Sequence, residues 1–380
     1  MKNKLADIIF AITERCTSSC DFCYTYKFVP EAMPRFLVGQ KVPLLHCKQR
    51  LSFEEVKCIV EQAVPLGLKG VQISGGEPLL EKELTKDTVK LCSNLGLSSF
   101  LYTNGIYADE KMVDELAEMG LNKARITLCS TNYQDEALHR HHLNGESDWQ
   151  RSLNAIGLFR DKKIKVGTFT PVTKATVGYL KEIGRFAADL GAEYVNFHLY
   201  IPSRVRAQDF LHEISVGEHY RAIEDILELK KELAGRVEVA THGGSLFEYL
   251  SENWKKEEGM SVAKCGHSRL GIFADGGVGT CNCLTERLGN IRDEGFNLNE
   301  LWQNNSKLIA LRKITQQDFP PCNDCIHRNY CSPCRSFNDG NDSIAPQVCP
   351  ILRTYNSLIT LGRSKVLAGR EALGRNYLSR

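Results

Sequence analysis

The chain has 380 residues, with 48 Lys and Arg against 46 Asp and Glu, and a formal net charge of +2. So even a balance argues against a surface built to coat nucleic acid and leaves room only for a local basic groove, and with no apolar run of about 18 residues no membrane span is indicated. The length exceeds one typical core, so two domains are expected.

The N-terminus opens with Lys2 and Lys4, but Asp7 breaks the apolar stretch before any cleavable signal can form. The chain therefore reads as cytoplasmic. Its 15 cysteines are an odd number. In a reducing compartment they point to metal or cluster binding rather than to a disulfide framework.

Residues 5–13 read as a first strand. It feeds Cys16-Thr17-Ser18-Ser19-Cys20-Asp21-Phe22-Cys23, three thiols at spacing C-x3-C-x2-C. Thiolates suit iron–sulfur clusters, and closed sites take four cysteines, so a three-cysteine loop leaves one iron open. Residues 24–50 have little periodicity and contain Pro30, Pro34 and Pro43. A loop of this length beside a site serves as a lid or as a surface excursion, and both readings stay open. Cys47, within it, reads as a free thiol.

Ser52 and Glu55 form a capping box that opens a helix running to about Leu66. Strand 69–74 follows, then helix 81–95, strand 98–103, helix 109–119, strand 121–128, helix 147–160, strand 163–170, helix 177–190, strand 193–200 and helix 216–234. Six strand–helix alternations predict a parallel sheet with helices outside, either a barrel or an open doubly wound sheet. Strand 69–74 runs straight into Gly75-Gly76-Glu77-Pro78, where two glycines allow close backbone approach to a ligand and a carboxylate can take an ammonium. Tyr102-Thr103-Asn104-Gly105 ends the next strand and is also a plain turn signal. Cys58, Cys92 and Cys129 read as core residues. His139, His141 and His142 read as solvated surface.

From about residue 261 the helical periodicity fades, and eight of the 15 cysteines fall between 265 and 349. Such a segment draws its folding free energy from metal centres. Cys322-x2-Cys325 alone also suits a zinc ribbon. The boundary falls within 236–260, and residues 351–380 read as a closing helix with a basic exposed face.

The C-x3-C-x2-C loop followed by Gly75-Gly76-Glu77-Pro78 resembles the radical S-adenosylmethionine (SAM) superfamily. The resemblance implies an α/β fold, a partial (β/α)6 TIM-type barrel over 1–235, with the active site at the carboxyl ends of the strands. It implies that Cys16, Cys20 and Cys23 bind a [4Fe-4S] cluster whose open iron chelates SAM. Gly75, Gly76 and Glu77 would hold the methionine end, Phe22 and Tyr24 would pack or contact the adenine, and Asn104 and Thr127 would meet the ribose. Cys129 stands where an aspartate is common in the family. Reductive cleavage of SAM would then give a 5′-deoxyadenosyl radical that takes a substrate hydrogen atom, with an electron from a partner such as flavodoxin or ferredoxin.

Cys265, Gly276, Cys281, Cys322-x2-Cys325-x5-Cys331-x2-Cys334 and Cys349 resemble the SPASM extension of that superfamily, a C-terminal Cys-rich Fe–S domain over 261–350. Two auxiliary [4Fe-4S] clusters are implied, for three in all. Cys322, Cys325, Cys331 and Cys349 would hold the distal cluster and Cys265, Cys281 and Cys334 the nearer one. The nearer cluster would have an open iron or take Cys283. Gly259 and Asn282 replace a cysteine and an aspartate of the sulfatase-maturing relatives, which counts against that activity. Oxidation or cross-linking of a ribosomally made peptide is the favoured substrate reading. The same chemistry on a sugar, aminoglycoside or nucleoside is the alternative, and a non-catalytic Fe–S electron-transfer protein is the third. The first strand begins almost at the N-terminus, which predicts no separate leader-binding module and weighs against the peptide.

Overall fold

The computed structural model describes residues 3–23, 48–200, 212, 214–242, 265–282 and 287–313. The calls on Tyr24, Cys47, Cys283, Cys322, Cys325, Cys331, Cys334, Cys349 and the helix over 351–380 lie outside these residues.

The six expected strands form the centre of one parallel sheet: β1 (Asp7–Ala11), β3 (Gly70–Ser74), β4 (Ser98–Thr103), β5 (Lys123–Thr127), β7 (Lys165–Val172) and β8 (Tyr194–Leu199). The register steps evenly across it, with Ile9 beside Gln72, Gln72 beside Phe100 and Tyr102 beside Arg125. Between the strands run α1 (Phe53–Ala63), α2 (Lys82–Asn94), α3 (Glu110–Glu118), α5 (Glu146–Asp161), α6 (Leu180–Asp189) and α7 (Val216–Glu232). Parallel neighbours need such crossovers, and the crossovers bury one face of the sheet. This is the partial barrel anticipated from the alternation and the resemblance.

The sheet is longer than the sequence suggested. β9 (Glu238–His242) adds in parallel to β8, and β10 (Arg269–Ile272) adds in parallel to β1. β11 (Gly277–Gly279) and β12 (Gly289–Asn290) continue antiparallel from β10. The sheet therefore carries strands from beyond residue 260 on its β1 edge, and among the described residues it does not close.

Helix α1 shows why these segments fold as they do. Ser52 Oγ accepts from Glu55 N at 3.1 Å, and Ser52 N donates to Glu55 Oε2 at 2.7 Å, the expected capping box. Val56, Ile59, Val60 and Ala63 recur at helical spacing and are buried. Cys58 falls off that stripe. It is exposed, not a core residue, because two residues past Val56 is about 200° around the helix. Cys92 and Cys129 are buried as expected.

On β4, Ser99, Leu101 and Thr103 are buried, while Phe100 and Tyr102 alternate with them and are half-buried. Arg125 of β5 lies over Phe100, Tyr102 and Tyr194, with its guanidinium carbon 4.8, 5.0 and 5.3 Å from the ring centres. Two short helices, Leu298–Asn304 and Ser306–Lys313, follow β12. Trp302 of the first is fully buried and donates Nε1–H to Asn3 O at 2.8 Å. Leu298 N donates to Gln62 Oε1 on α1, and Arg292 pairs with Glu55. Periodicity had faded in this region because each helix is only about two turns long. Among the described residues, no helix is long and apolar enough to cross a membrane.

Candidate active site

The thiol loop leaves the carboxyl end of β1 and is fastened to the end of β3 by backbone. Ile12 N donates to Ser74 O at 2.9 Å, Gly76 N to Thr13 O at 2.7 Å and Glu77 N to Arg15 O at 2.6 Å. The two glycines are explained by this approach. A Cβ on Gly75 would run into Thr13 O and one on Gly76 into Arg15 O, and Gly75 sits at φ +139°, where side chains are strained. The sequence suggests room for a ligand here, and the structure shows that the glycines first make room for the loop that carries the thiols.

Glu77 is fully buried. Its Oε1 accepts from Leu79 N at 2.9 Å and from Thr103 Oγ at 2.7 Å, and its Oε2 accepts from Asn104 N at 2.7 Å. Burial pushes its carboxyl up, and these three donors pull it back. A carboxylate has about four acceptor sites, so one remains on Oε2. Asn104 turns the chain through Oδ1, which accepts from Ile106 N at 3.0 Å. Its Nδ2 reaches Thr17 Oγ and Ser18 Oγ at 3.5 and 3.4 Å. Asn104 thus makes the expected turn, and it also touches the thiol loop.

A second anchor has no counterpart in the sequence reading. Ser18–Cys20 forms a short strand, β2, antiparallel to β6 (Arg140–His142), with Cys20 opposite Arg140 and Ser18 opposite His142. Helix α4 (Tyr133–His139) leads into β6. His139, His141 and His142 are therefore half-buried beside the loop rather than solvated on a surface. His142 Nδ1 lies 3.1 Å from Ser18 Oγ. Burial, with the Arg140 charge and His141 beside it, pushes the His142 imidazole down to about 3. β6 escaped notice because three residues carry no periodicity, whereas Glu136 of α4 and Arg140, which opens β6, stand at a legible i,i+4 spacing.

Cys16, Cys20 and Cys23 are half-buried and are not in disulfides. Burial holds Cys16 well above the ordinary thiol range and pushes Cys20 up to about 12, and each is raised further by the neighbouring thiols. Among the described residues, no three His, Cys, Asp or Glu are gathered around one point that would hold a single metal ion. Three thiols on one short loop, close enough to influence one another's ionisation, are the donor type that an iron–sulfur cluster takes. Phe22 is half-buried between two of them, and Thr127 ends β5 with its carbonyl accepting from Arg140 Nη1 at 2.6 Å.

Of the second cysteine set, Cys265 and Cys281 lie within the described residues. Cys265 bridges to Arg269, ahead of β10, and Cys281 follows β11. A Cβ on Gly266 would lie 3.3 Å from Thr280 Cγ2, so the chain neighbours of the two cysteines lie close together. Asn282 is buried next to Cys281, and neither its Oδ1 nor its Nδ2 has a hydrogen-bond partner.

A parallel sheet with a three-thiol loop leaving its first strand defines the core of a radical SAM protein. Residues 10–187 match the family model described as the radical SAM superfamily, and residues 264–326 match SPASM, an iron-sulfur cluster-binding domain. The chain belongs to the radical SAM superfamily and is an enzyme of that type, with SAM and iron–sulfur clusters as its cofactors. It is similar to the AdoMet-dependent heme synthase of Oleidesulfovibrio alaskensis, 22% identical over 87% of this chain and 82% of that protein. A GTP 3',8-cyclase of Staphylococcus aureus is 31% identical over 34% of this chain and 36% of that protein. Among solved structures, Streptococcus suis SuiB bound to S-adenosylmethionine superposes with TM-score 0.68 at 15% identity, over 90% of this chain and 77% of that one. Native anSMEcpe with bound AdoMet gives 0.69 at 17% identity, over 94% and 98%.

Proposed function

We propose that this enzyme oxidises or cross-links a ribosomally made peptide by radical SAM chemistry. When bound, the cofactors supply a 5′-deoxyadenosyl radical that takes a hydrogen atom from the substrate. Cys16, Cys20 and Cys23 hold the SAM-binding [4Fe-4S] cluster. Glu77 offers its remaining acceptor site to the SAM ammonium, and the backbone at Gly75 and Gly76 lines the methionine end. Phe22 and Tyr24 pack against the adenine, and Asn104 and Thr127 face the ribose. Cys322, Cys325, Cys331 and Cys349 hold a distal auxiliary cluster, and Cys265, Cys281 and Cys334, with or without Cys283, hold the nearer one. The barrel spans 1–235, a bridging region 236–260, the SPASM domain 261–350 and a closing helix 351–380. A flavodoxin or ferredoxin delivers the electron.

The observation that carries this reading is the anchoring of the thiol loop to the Gly75-Gly76-Glu77 turn, to the Asn104 turn and to β6. The mouth of the sheet is thereby built around three thiols and one partly satisfied carboxylate. The peptide is supported by two neighbours of similar fold, SuiB with precursor peptide SuiA and anSMEcpe with AdoMet and the Cp18Cys peptide. A second reading, a small-molecule substrate, is supported by relatives named AdoMet-dependent heme synthase.

The test is anaerobic reconstitution with dithionite and SAM. About twelve irons per chain fit three cubanes, and about four would remove the auxiliary pair. Cys20→Ala is expected to abolish 5′-deoxyadenosine, whereas Cys325→Ala disables substrate turnover while SAM cleavage persists. A product with fewer hydrogens, formed from a peptide encoded beside the gene, supports the peptide. Turnover stimulated by a tetrapyrrole or sugar alone supports the second reading.

A further inference from the structure

Among the described residues, Arg140 is the largest charged side chain that is fully buried, 1% exposed. Its Nη1 is committed twice, to Glu136 Oε1 and to Thr127 O, both at 2.6 Å. Glu136 is also fully buried, and its other oxygen accepts from Cys129 N at 2.9 Å. The guanidinium is thus fixed by a carboxylate one helical turn behind it and by the end of β5. Its Nε and Nη2 are buried with no hydrogen-bond partner. Leaving such donors bare costs free energy, and the cost is greater on a charged group.

The β2–β6 ladder sets Arg140 directly opposite Cys20. The guanidinium charge acts on the Cys20 thiol and opposes the effect of its burial. The sulfur set opposite Arg140 in the ladder is therefore that of a proposed cluster ligand. Glu136 neutralises the guanidinium on its other side, so the pair can remain buried without a counter-ion from solvent.

We infer that Arg140 is a positioning residue of the SAM-binding cluster: its Nε–H and Nη2–H donate to Cys20 sulfur or to the cluster sulfide beside it. Adding one electron makes the cluster more negative, and donors to its sulfurs stabilise that state and raise its potential. Glu136 and Thr127 O aim the donors. This inference rests on the cluster assignment in the proposed function.

The experiment uses the full chain, reconstituted anaerobically, with arginine labelled with 15N in the guanidinium. Pulsed EPR is read on the reduced signal that shifts when SAM is added. A 15N coupling in the wild type, lost in Arg140→Lys and kept in Arg15→Lys, is the expected result. The Glu136→Met/Arg140→Met pair removes both charges together, so no orphan carboxylate is left. In that variant, at unchanged iron content, the reduction equilibrium is expected to fall at least tenfold, which is 59 mV for one electron. Absence of 15N coupling in the wild type overturns the inference whether or not the variants fold. An unchanged potential in the double variant overturns it as well. If the wild type shows no SAM-responsive signal, the cluster assignment itself has failed, a separate outcome read from the same sample.

Discussion

Glu77 Oε2 accepts the backbone N–H of Asn104 at 2.7 Å, joining the turn after β3 to the turn after β4. Both turns also touch the thiol loop, so one carboxylate holds three segments in register. Glu77→Ala would orphan the N–H groups of Leu79 and Asn104 and the Thr103 hydroxyl. Each buried orphan costs about 1–3 kcal/mol. A loss of at least about 2 kcal/mol in urea unfolding is expected, together with fewer irons retained after desalting. Full stability and full iron would show that the carboxylate does not organise the site.

Gly76→Ala places a methyl group against Arg15 O, a backbone atom that cannot swing aside. Overpacking of this kind costs about 1–3 kcal/mol. The loop must shift, so the iron bound by the first cluster is expected to fall more than the melting temperature does. Gly217, exposed on α7, has open space around its Cβ direction and no positive φ, and Gly217→Ala serves as a control that keeps its iron. Equal iron loss in both variants would separate the effect from the loop.

His219 on α7 is 1% exposed, and burial pushes its imidazole down from 6.5 to about 4. The folded state binds this proton more weakly than the unfolded state does. Stability from the neutral ring is therefore fully present above the unfolded value near 6.5, and it is lost as pH falls toward about 4. The loss amounts to about 3 kcal/mol at 1.36 kcal/mol per unit. Urea midpoints measured from pH 7 to pH 4 should fall less steeply in His219→Leu. Parallel profiles would mean that other groups govern acid lability.

Trp302 fills the interior between α1 and the N-terminal segment and is fully buried. Trp302→Ala is expected to cost about 3–5 kcal/mol. The strands beyond residue 260 share the sheet with β1, so unfolding should remain a single transition at a lower urea midpoint. Two separated transitions would show that the C-terminal segment unfolds by itself.

Much of this molecule is legible in its residue order. The strand over 98–103 coincides with β4, and the capping box at Ser52 opens α1, because alternation and capping are local rules that tertiary contacts here reinforce. The thiol spacing and the Gly75-Gly76-Glu77 turn announced the chemistry. Local pattern also failed in identifiable places. Cys58 looked apolar enough for the core but stands outside the buried stripe of α1. The histidines at 139, 141 and 142 looked like solvated surface because three residues of β6 have no period of their own.

The sequence by itself determined the parallel class of the sheet, the order of its six central strands and the placing of three thiols on one loop after the first of them. Those follow from periodicity and side-chain chemistry, which act over a few residues. Only the tertiary structure decided which turns grip the thiol loop, that β10 lies beside β1 across more than 250 residues of chain, and that Arg140 faces Cys20. Such pairings bring distant segments together by burial and backbone hydrogen bonding, and no local spacing encodes them.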